Sequence, residues 1–310
     1  MSRIFNRASA AALLLVGISH VPLAAQEVDP KAVVAPPKSI STGGGPEAVT
    51  FDGVNVWVAH QYDGTIKKIR PSDGVVLATY AIGDGPLALA FDGSSLWVAN
   101  FRSNTVSKFT TSGTVLGKYA VGSGPGGLLF DGTNVWVANR KSNDVTRLRA
   151  SDGVKLGTYK VGKRPIAMAF DGAYLWVTAS DGDVVTRLLA SDGSAAGTFP
   201  VGDGPFGIAF DGTDIWVANF FEGNLLRLSA STGLVLAKVA VGDGPAGLVT
   251  AGGNLWVANH GSATVMKLRT SDGAILSTQT VGSGPYGIVL TGDRVWVASS
   301  AAGSLNDLAR

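Results

Sequence analysis

The sequence predicts an all-β protein, a seven-bladed β-propeller of four-stranded antiparallel blades, and three observations support this fold class. The first is a repeat marked by tryptophans that recur every 39 or 40 positions. The second is the content of each repeat, four short segments rich in β-branched and large apolar residues between glycine-containing turns. The third is the composition, with 42 glycines and only 15% charged residues. The seven tryptophans are Trp57, Trp97, Trp136, Trp176, Trp216, Trp256 and Trp296.

The repeat at 201–240 shows how one blade is organised. Strand a follows the Gly-Pro pair at 204–205 and covers 207–210, and strand b, at 215–218, carries the tryptophan. Strand c covers 225–228, and strand d follows a Ser-Thr-Gly turn. Such turns suit tight hairpins because glycine adopts positive φ without steric cost. No segment has the apolar period of a helix, so a helical array of similar repeat length is excluded.

The two ends of the chain are predicted to share one blade. The seventh repeat ends after its strand c, at 304–308, and lacks a strand d. Residues 38–42 precede the first Gly-Pro pair, at 45–46, as strand d precedes that pair in the other blades. We therefore predict that 38–42 completes the last blade, closes the ring and removes an exposed sheet edge.

The N-terminus has the pattern of a secretory signal peptide. Arg3 and Arg7 form a positive region, 8–18 is an apolar run too short to span a bilayer, and small residues at 23–25 supply a cleavage site. We expect an exported protein, periplasmic or extracellular, with no integral membrane segment. The expected organisation is 1–25 signal peptide, 26–37 extended leader and 38–310 propeller.

Charge and cysteine content exclude several classes of function. Without the two arginines of the signal peptide, basic residues equal the 23 acidic ones. A nucleic-acid partner is therefore not expected, because phosphate binding needs a basic face. The chain has no cysteine, which excludes disulfides, a cysteine nucleophile and thiolate metal sites. No nucleophile elbow, phosphate loop or zinc-protease motif occurs either.

The Gly-Pro start of strand a and the tryptophan in strand b resemble the repeats of YVTN- and NHL-type seven-bladed propellers. Over 38–310 the chain is similar to the virginiamycin B (streptogramin) lyase family, whose blades carry both features. The resemblance implies the propeller fold. It also implies an enzyme that opens a cyclic depsipeptide by elimination, with a histidine and a glutamate-bound magnesium ion.

Residues that recur in every blade are interpreted as structural. Each tryptophan is expected to bury about 150–250 Å² between blades. Basic residues on strand c are interpreted in the same way, rather than as a binding ring. Small residues after the Gly-Pro pair let seven strands converge on a central channel. The strand-c bases are Lys68, Lys108, Arg147, Arg187, Arg227 and Lys267. The small residues are Ala48, Ala88, Gly127, Ala167, Gly207, Gly247 and Gly287.

Function is expected where the blades differ, in the b–c loops and the d–a connections. Basic residues gather there on blades 2 to 4, with phenylalanines nearby. Exposed aromatic rings beside bases favour an anionic or amphipathic ligand, or a protein epitope. The alternative is a set of solvated loop charges, offset by Asp144, Asp181 and Asp183. The candidate ligand-binding residues are Phe101, Arg102, Arg140, Lys141, Lys163, Arg164, Phe206, Phe220, Phe221 and Glu222.

A second group, the seam cluster, lies where the first blade meets the last two. It consists of Glu47, His60, Tyr62, His260 and Tyr286, the candidate catalytic residues if the protein is an enzyme. His60 stands where asparagine follows strand b in four other blades. A histidine beside a carboxylate at a concave mouth can perform general acid–base catalysis.

Three functional interpretations stay open. The leading one is a non-enzymatic, monomeric propeller that binds a protein, peptide or glycan on its b–c and d–a loop face. The alternative is a virginiamycin B lyase-like enzyme that uses the seam cluster for C–O elimination on a cyclic peptide or other small molecule. The third is a structural surface protein.

Cofactor expectations follow from these interpretations. No cofactor and no metal site are expected, and magnesium only under the lyase alternative. Because magnesium prefers carboxylate oxygens and the chain has only Glu27, Glu47 and Glu222 as glutamates, we expect no streptogramin turnover.

Overall fold

A computed structural model describes residues 37–310 and confirms the predicted fold class. Twenty-eight strands form seven four-stranded antiparallel sheets, the blades of a propeller. The expected signal peptide and most of the leader lie outside the described residues. Within 37–310 no helix has the length and apolar character needed to cross a membrane.

The strands are numbered in chain order. Blades 1 to 3 contain β2 Pro46–Phe51, β3 Val56–His60, β4 Thr65–Ile69, β5 Val76–Ala81, β6 Pro86–Phe91, β7 Ser95–Asn100, β8 Thr105–Thr110, β9 Val115–Ala120, β10 Pro125–Phe130, β11 Asn134–Asn139, β12 Asp144–Arg149 and β13 Lys155–Lys160. Blades 4 to 6 contain β14 Pro165–Phe170, β15 Tyr174–Ala179, β16 Val184–Leu189, β17 Ala195–Pro200, β18 Pro205–Phe210, β19 Asp214–Asn219, β20 Asn224–Ser229, β21 Val235–Ala240, β22 Pro245–Ala251, β23 Asn254–Asn259, β24 Thr264–Arg269 and β25 Ile275–Thr280. Blade 7 contains β26 Pro285–Thr291, β27 Arg294–Ser299, β28 Ser304–Ala309 and β1 Lys38–Ser41.

The first strand lies in the last blade. The sheet order is β1-β28-β27-β26, and β1 pairs with β28 in antiparallel register, with Lys38 opposite Asp307. Just after β1, the Thr42 amide donates to the Gly303 carbonyl at 3.0 Å. Lys67 of blade 1 donates from Nζ to the Thr42 carbonyl. The edge of β28 is therefore covered, and the joint between the two chain ends carries hydrogen bonds to blade 1 as well.

The tryptophans pack between neighbouring blades, as the sequence predicts. Trp216 is 0% exposed and contacts Leu255, Val257 and Leu268 of the next blade. Its indole nitrogen donates to Asp211 Oδ2 at 2.7 Å. Five blades have this pair, with an aspartate five positions before the tryptophan. The aspartate also accepts backbone amides of the a–b turn, so one carboxylate ties the turn to the core.

The strand-c bases hold adjacent blades together. Arg227 lies over Trp216 of its own blade, with Cζ 5.9 Å from the ring centroid. It donates from Nη1 to the carbonyls of Thr270 and Ser271 in the next blade, at 3.0 and 2.9 Å. The other five bases stack on their tryptophans in the same way. These residues therefore stabilise the ring, in agreement with their structural interpretation.

Candidate functional site

Each blade presents three variable residues at one mouth of the central channel. The first follows the proline of strand a, where every strand a has a register shift. Such a bulge re-aims a side chain, here at the mouth. These inner-ring residues are Glu47, Leu87, Gly126, Ile166, Phe206, Ala246 and Tyr286. The next two positions begin the b–c loop: Gln61, Phe101, Arg140, Ser180, Phe220, His260 and Ser300, followed by Tyr62, Arg102, Lys141, Asp181, Phe221, Gly261 and Ala301.

One backbone hydrogen bond fixes the b–c loop in all seven blades. The amide of the first loop residue donates to the carbonyl just before the proline of the same blade, at 2.8 to 3.1 Å. Phe220 donates to Gly204 in this way, and His260 to Gly244. The side chains at this position therefore vary on a constant backbone, and the character of each sector of the mouth follows from the residue each blade carries.

The sector of blades 5 to 7 is aromatic. We call Phe206, Phe220, Phe221, His260 and Tyr286 the aromatic wall. Phe206 has its ring centroid 5.0 Å from Tyr286 and 5.6 Å from Phe220. His260 lies 5.8 Å from both Phe220 and Tyr286, and Phe221 lies edge-on to Phe220 at 5.3 Å. The wall thus joins two residues of the predicted seam cluster with three predicted ligand-binding phenylalanines.

The sector of blades 2 to 4 is basic. We call Arg102, Arg140, Lys141, Lys163 and Arg164 the basic arc. Arg102 pairs with Asp84 at 3.5 Å, and Arg164 with Asp181 at 3.2 Å, both on the exposed surface. Lys141 lies over the ring of Phe101, with Nζ 4.8 Å from the centroid. Lys163 is exposed. Pairs this exposed contribute little to stability, so most of the arc is available to a ligand.

Arg140 is the member of the basic arc whose side chain extends over the channel. A Cβ on Gly126 would lie 2.2 Å from Arg140 Nε, so the glycine leaves the space that the guanidinium fills. Nη2 donates to the Gly126 carbonyl at 3.2 Å, whereas the buried Nε has no hydrogen-bond partner. The charge of Arg140 acts on Tyr286 and Glu47, from blades 7 and 1. Arg140 thereby joins the basic arc to the aromatic wall.

The mouth perturbs the ionisation of three residues. Burial raises the pKa of Glu47 to about 7, and the positive charge of Arg140 limits this rise. Burial also raises the pKa of Tyr286 and lowers the pKa of Arg140. The positive charge of Arg164 lowers the pKa of Arg140 further. A carboxyl group that titrates near neutral pH suits either proton transfer or a pH-dependent contact with ligand.

Two other residues of the seam cluster, His60 and Tyr62, lie away from Glu47, Arg140 and Tyr286. His60 is 0% exposed, and neither ring nitrogen has a hydrogen-bond partner. Burial, and then the charge of Lys67, lowers its pKa to about 4. Tyr62 is 69% exposed, and its ring lies against Gly45. His60 therefore makes no side-chain hydrogen bond to His260 or Glu47. Glu47, Tyr286 and His260 lie at the mouth, whereas His60 lies inside blade 1 as the last residue of β3.

Glu222 has a local structural role. Its carboxylate accepts from Lys238 Nζ at 2.7 Å, from Asn224 Nδ2 at 2.7 Å and from the Asp203 amide at 3.0 Å. The hydrogen bond from Lys238, with these two, lowers the pKa of Glu222 to about 2. The carboxylate therefore fixes the d–a connection of its own blade, and its lone pairs are largely used there.

The channel below the mouth is lined by small and aliphatic side chains. A cavity of about 200 Å³ is lined mainly by glycine, alanine and aliphatic side chains of the strand-a segments, together with Arg140, Phe206 and Tyr286. This agrees with the small residues predicted for the channel.

The mouth does not fit a magnesium ion. No group of three histidine, aspartate or glutamate side chains in the described range is arranged to hold a metal. Glu47 supplies a single carboxylate. The positive charge of Arg140 already acts on this carboxylate, so a cation would have to compete with the guanidinium for it. A hard divalent cation usually needs one or two carboxylates and further oxygen ligands.

Comparison with known proteins gives a family and a fold. A family model described as the virginiamycin B lyase family matches residues 37–308. No curated protein sequence matches the chain.

The solved structures similar to this chain include three with low sequence identity. A catalytically inactive variant of virginiamycin B lyase from Staphylococcus aureus, determined with quinupristin, has a TM-score of 0.78 at 20% identity, covering 88% of this chain and 99% of that one. A streptogramin B lyase structure has 0.76 at 18%, covering 88% and 96%. Hydrazine synthase from Kuenenia stuttgartiensis has 0.78 at 17%, covering 86% and 96%. At these identities the likeness shows the fold alone.

Proposed function

This chain belongs to the virginiamycin B lyase family, and on that premise we propose that it is a non-enzymatic binding protein whose channel mouth holds a peptide-like ligand with an aromatic or apolar group. The observation that carries the proposal is the aromatic wall, five rings in continuous contact beside Arg140. Rings already packed against one another lose little conformational freedom when a ligand ring stacks on them, which favours binding.

The wall has the character of a recognition surface. The side chain of Phe221 is 72% exposed, although large apolar side chains are usually buried. Tyr286 and His260 add polar atoms at the edge of the apolar surface, so amide groups of a ligand can be paired. A mixed surface of aromatic rings and few polar groups is typical of sites that bind small peptides and drug-sized molecules.

A direct test uses N-acetyltyrosine amide, an uncharged aromatic peptide unit. We expect it to bind with a Kd of about 1 mM or tighter by isothermal titration calorimetry, as is reasonable for a ligand of this size. Phe206→Ala and Phe220→Ala are expected to weaken binding at least about fivefold, because each removes a ring of the wall.

Tyr62→Ala is the matched control. It removes an exposed ring that lies outside the aromatic wall, and should leave the affinity unchanged. Binding that is indifferent to Phe206 and Phe220 would contradict the proposal. An uncharged hexasaccharide that bound where the peptide unit did not would replace peptide with glycan as the ligand class.

A second candidate function is favoured by one observation, the pKa of Glu47 near 7 next to Tyr286 and Arg140. A carboxyl group with that pKa is suited to general acid–base catalysis at neutral pH. Under this candidate, Glu47 would exchange a proton with a ligand, and Arg140 would stabilise negative charge that develops nearby.

We predict no opening of a streptogramin ring by this protein. Purified protein incubated with quinupristin and magnesium should leave the ring intact by mass spectrometry, because the mouth lacks the carboxylates that magnesium needs. Turnover that is lost in Glu47→Gln or His260→Ala would overturn the binding-protein proposal and place catalysis at the mouth. Turnover that survives both substitutions, and is lost in His60→Ala, would place it in blade 1 instead.

A further inference from the structure

One position in the d–a connections departs from the repeat. The residue before the proline of strand a is glycine in six blades, with φ between 62° and 71° in each. Blade 4 has Arg164 there, at φ 53°. A long side chain in this left-handed region is unfavourable, whereas glycine is not. Backbone strain of this kind is concentrated at functional sites. The departure therefore points to a role for the Arg164 side chain that glycine cannot perform.

Arg164 adds a second guanidinium to the side of the mouth where Arg140 crosses the channel. Its positive charge acts on both Arg140 and Tyr286. Arg164 pairs with Asp181 at 3.2 Å, but both side chains are more than half exposed, so solvent weakens the pair. Arg140 has its Nε buried and without a partner. Two guanidinium groups thus lie on the same side of the mouth, and both have N–H donors and positive charge available for a ligand.

We infer that Arg140 and Arg164, together with the Tyr286 hydroxyl, form a binding site for a phosphate-type dianion on the ligand, beside the aromatic wall. The inference rests on the proposed function, because it names the polar group of the ligand whose ring the wall would hold. Arginine presents its N–H groups as a planar fork that matches the oxygens of phosphate. A phosphate dianion supplies two negative charges to the two guanidinium groups, whereas a single carboxylate supplies one.

Glu47 is the group that opposes an anion at this site. Arg140 and Tyr286 are the charged and titratable groups that act on it, from blades 3 and 7. Because burial raises the pKa of Glu47 to about 7, the carboxyl is largely protonated at pH 6 and ionised at pH 8.5. The affinity for a dianion should therefore fall between pH 7 and pH 8.5. Glu47→Gln should remove this fall, since phosphate monoesters, whose second pKa is about 6, are already mostly dianions at pH 7.

The test compares two probes that differ by one phosphate, N-acetyl-O-phosphotyrosine amide and N-acetyltyrosine amide. We expect the phosphorylated probe to bind at least about tenfold more tightly at low ionic strength, and the gain to shrink with added salt. Arg140→Gln should abolish the gain, and blade 1 already has glutamine at this position. Arg164→Gly should reduce the gain at least about threefold while keeping the fold, because the six other blades carry glycine there.

Arg269→Gln is the control. Arg269 pairs with Asp272 at 2.8 Å on a c–d turn, and its loss should leave both affinities unchanged. Equal affinity for the two probes would overturn this inference and leave the proposed function standing. A phosphate gain that persists in both Arg140→Gln and Arg164→Gly would also overturn it. If neither probe binds, the proposed function itself is overturned.

Discussion

Replacement of Trp216 with alanine is expected to lower the free energy of unfolding by about 3–5 kcal/mol, the range for removal of a fully buried large aromatic side chain. The indole is 0% exposed and packs against three residues of the next blade. Its removal leaves a cavity between blades 5 and 6, and takes the surface over which Arg227 lies. It also removes the partner of the Asp211 carboxylate, which would stay partly buried.

Urea denaturation followed by circular dichroism measures this loss, and Trp256→Ala is its comparison. Trp256 is 3% exposed, but its blade has Ala251 where Asp211 stands in blade 5, so no carboxylate loses a partner. We expect the Trp256 variant to lose about 1–3 kcal/mol less than the Trp216 variant. A loss under about 1 kcal/mol for Trp216→Ala would mean that the tryptophan ladder is not buried, and a ligand-stacking role would gain support.

Removal of β1 is expected to lower the melting temperature by about 10 °C or more. A chain that begins at residue 44 lacks the strand that pairs with β28, and Ile40 no longer packs on the core cluster of blades 7 and 1. Loss of several kcal/mol of pairing and burial converts to a shift of this size, at about 2–4 °C per kcal/mol for a large domain. The exposed β28 edge should also promote self-association.

The control is a chain that begins at residue 37, which keeps β1 and should melt as the longer protein does. Ile40→Asp provides a milder test in case the shorter chain fails to fold, since it keeps the strand and places a charge against an apolar cluster. Identical melting curves for chains that begin at 37 and 44 would contradict a stabilising role for β1.

The fold could be read from the sequence because its determinants repeat. Seven tryptophans on one lattice, and a Gly-Pro pair at the start of strand a in six of the seven blades, specify the blades without any knowledge of contacts between them. The partner of the tryptophan was equally visible, since Asp211 and four equivalents stand five positions earlier, yet an Asp-Gly dipeptide also suits a tight turn. The aspartate serves both the turn and the tryptophan, because one carboxylate oxygen accepts hydrogen bonds from the turn amides and the other accepts one from the indole N–H.

The site could be predicted only in part, because it depends on distances across the ring. The sequence separates Arg140 from Glu47 and Tyr286, and places it in a group of loop bases. The crossing of Arg140 over the channel follows from Gly126, the inner-ring position without a side chain. His60 shows the opposite limit, since a histidine at the end of strand b suggests a catalytic group, whereas the structure buries it completely.

The hydrogen bond that fixes each b–c loop separates the residues available for binding from the residues that stabilise the blade. Because the loop amide donates to the carbonyl before the proline in all seven blades, whatever its side chain, we expect a new side chain at the mouth to change neither the loop path nor the tryptophan core. Substitutions in the two regions should therefore have additive effects on unfolding. The mouth is thus an array of twenty-one positions, three per blade, and the charge of Arg140 on residues of blades 1 and 7 makes ligand preference a property of several blades together.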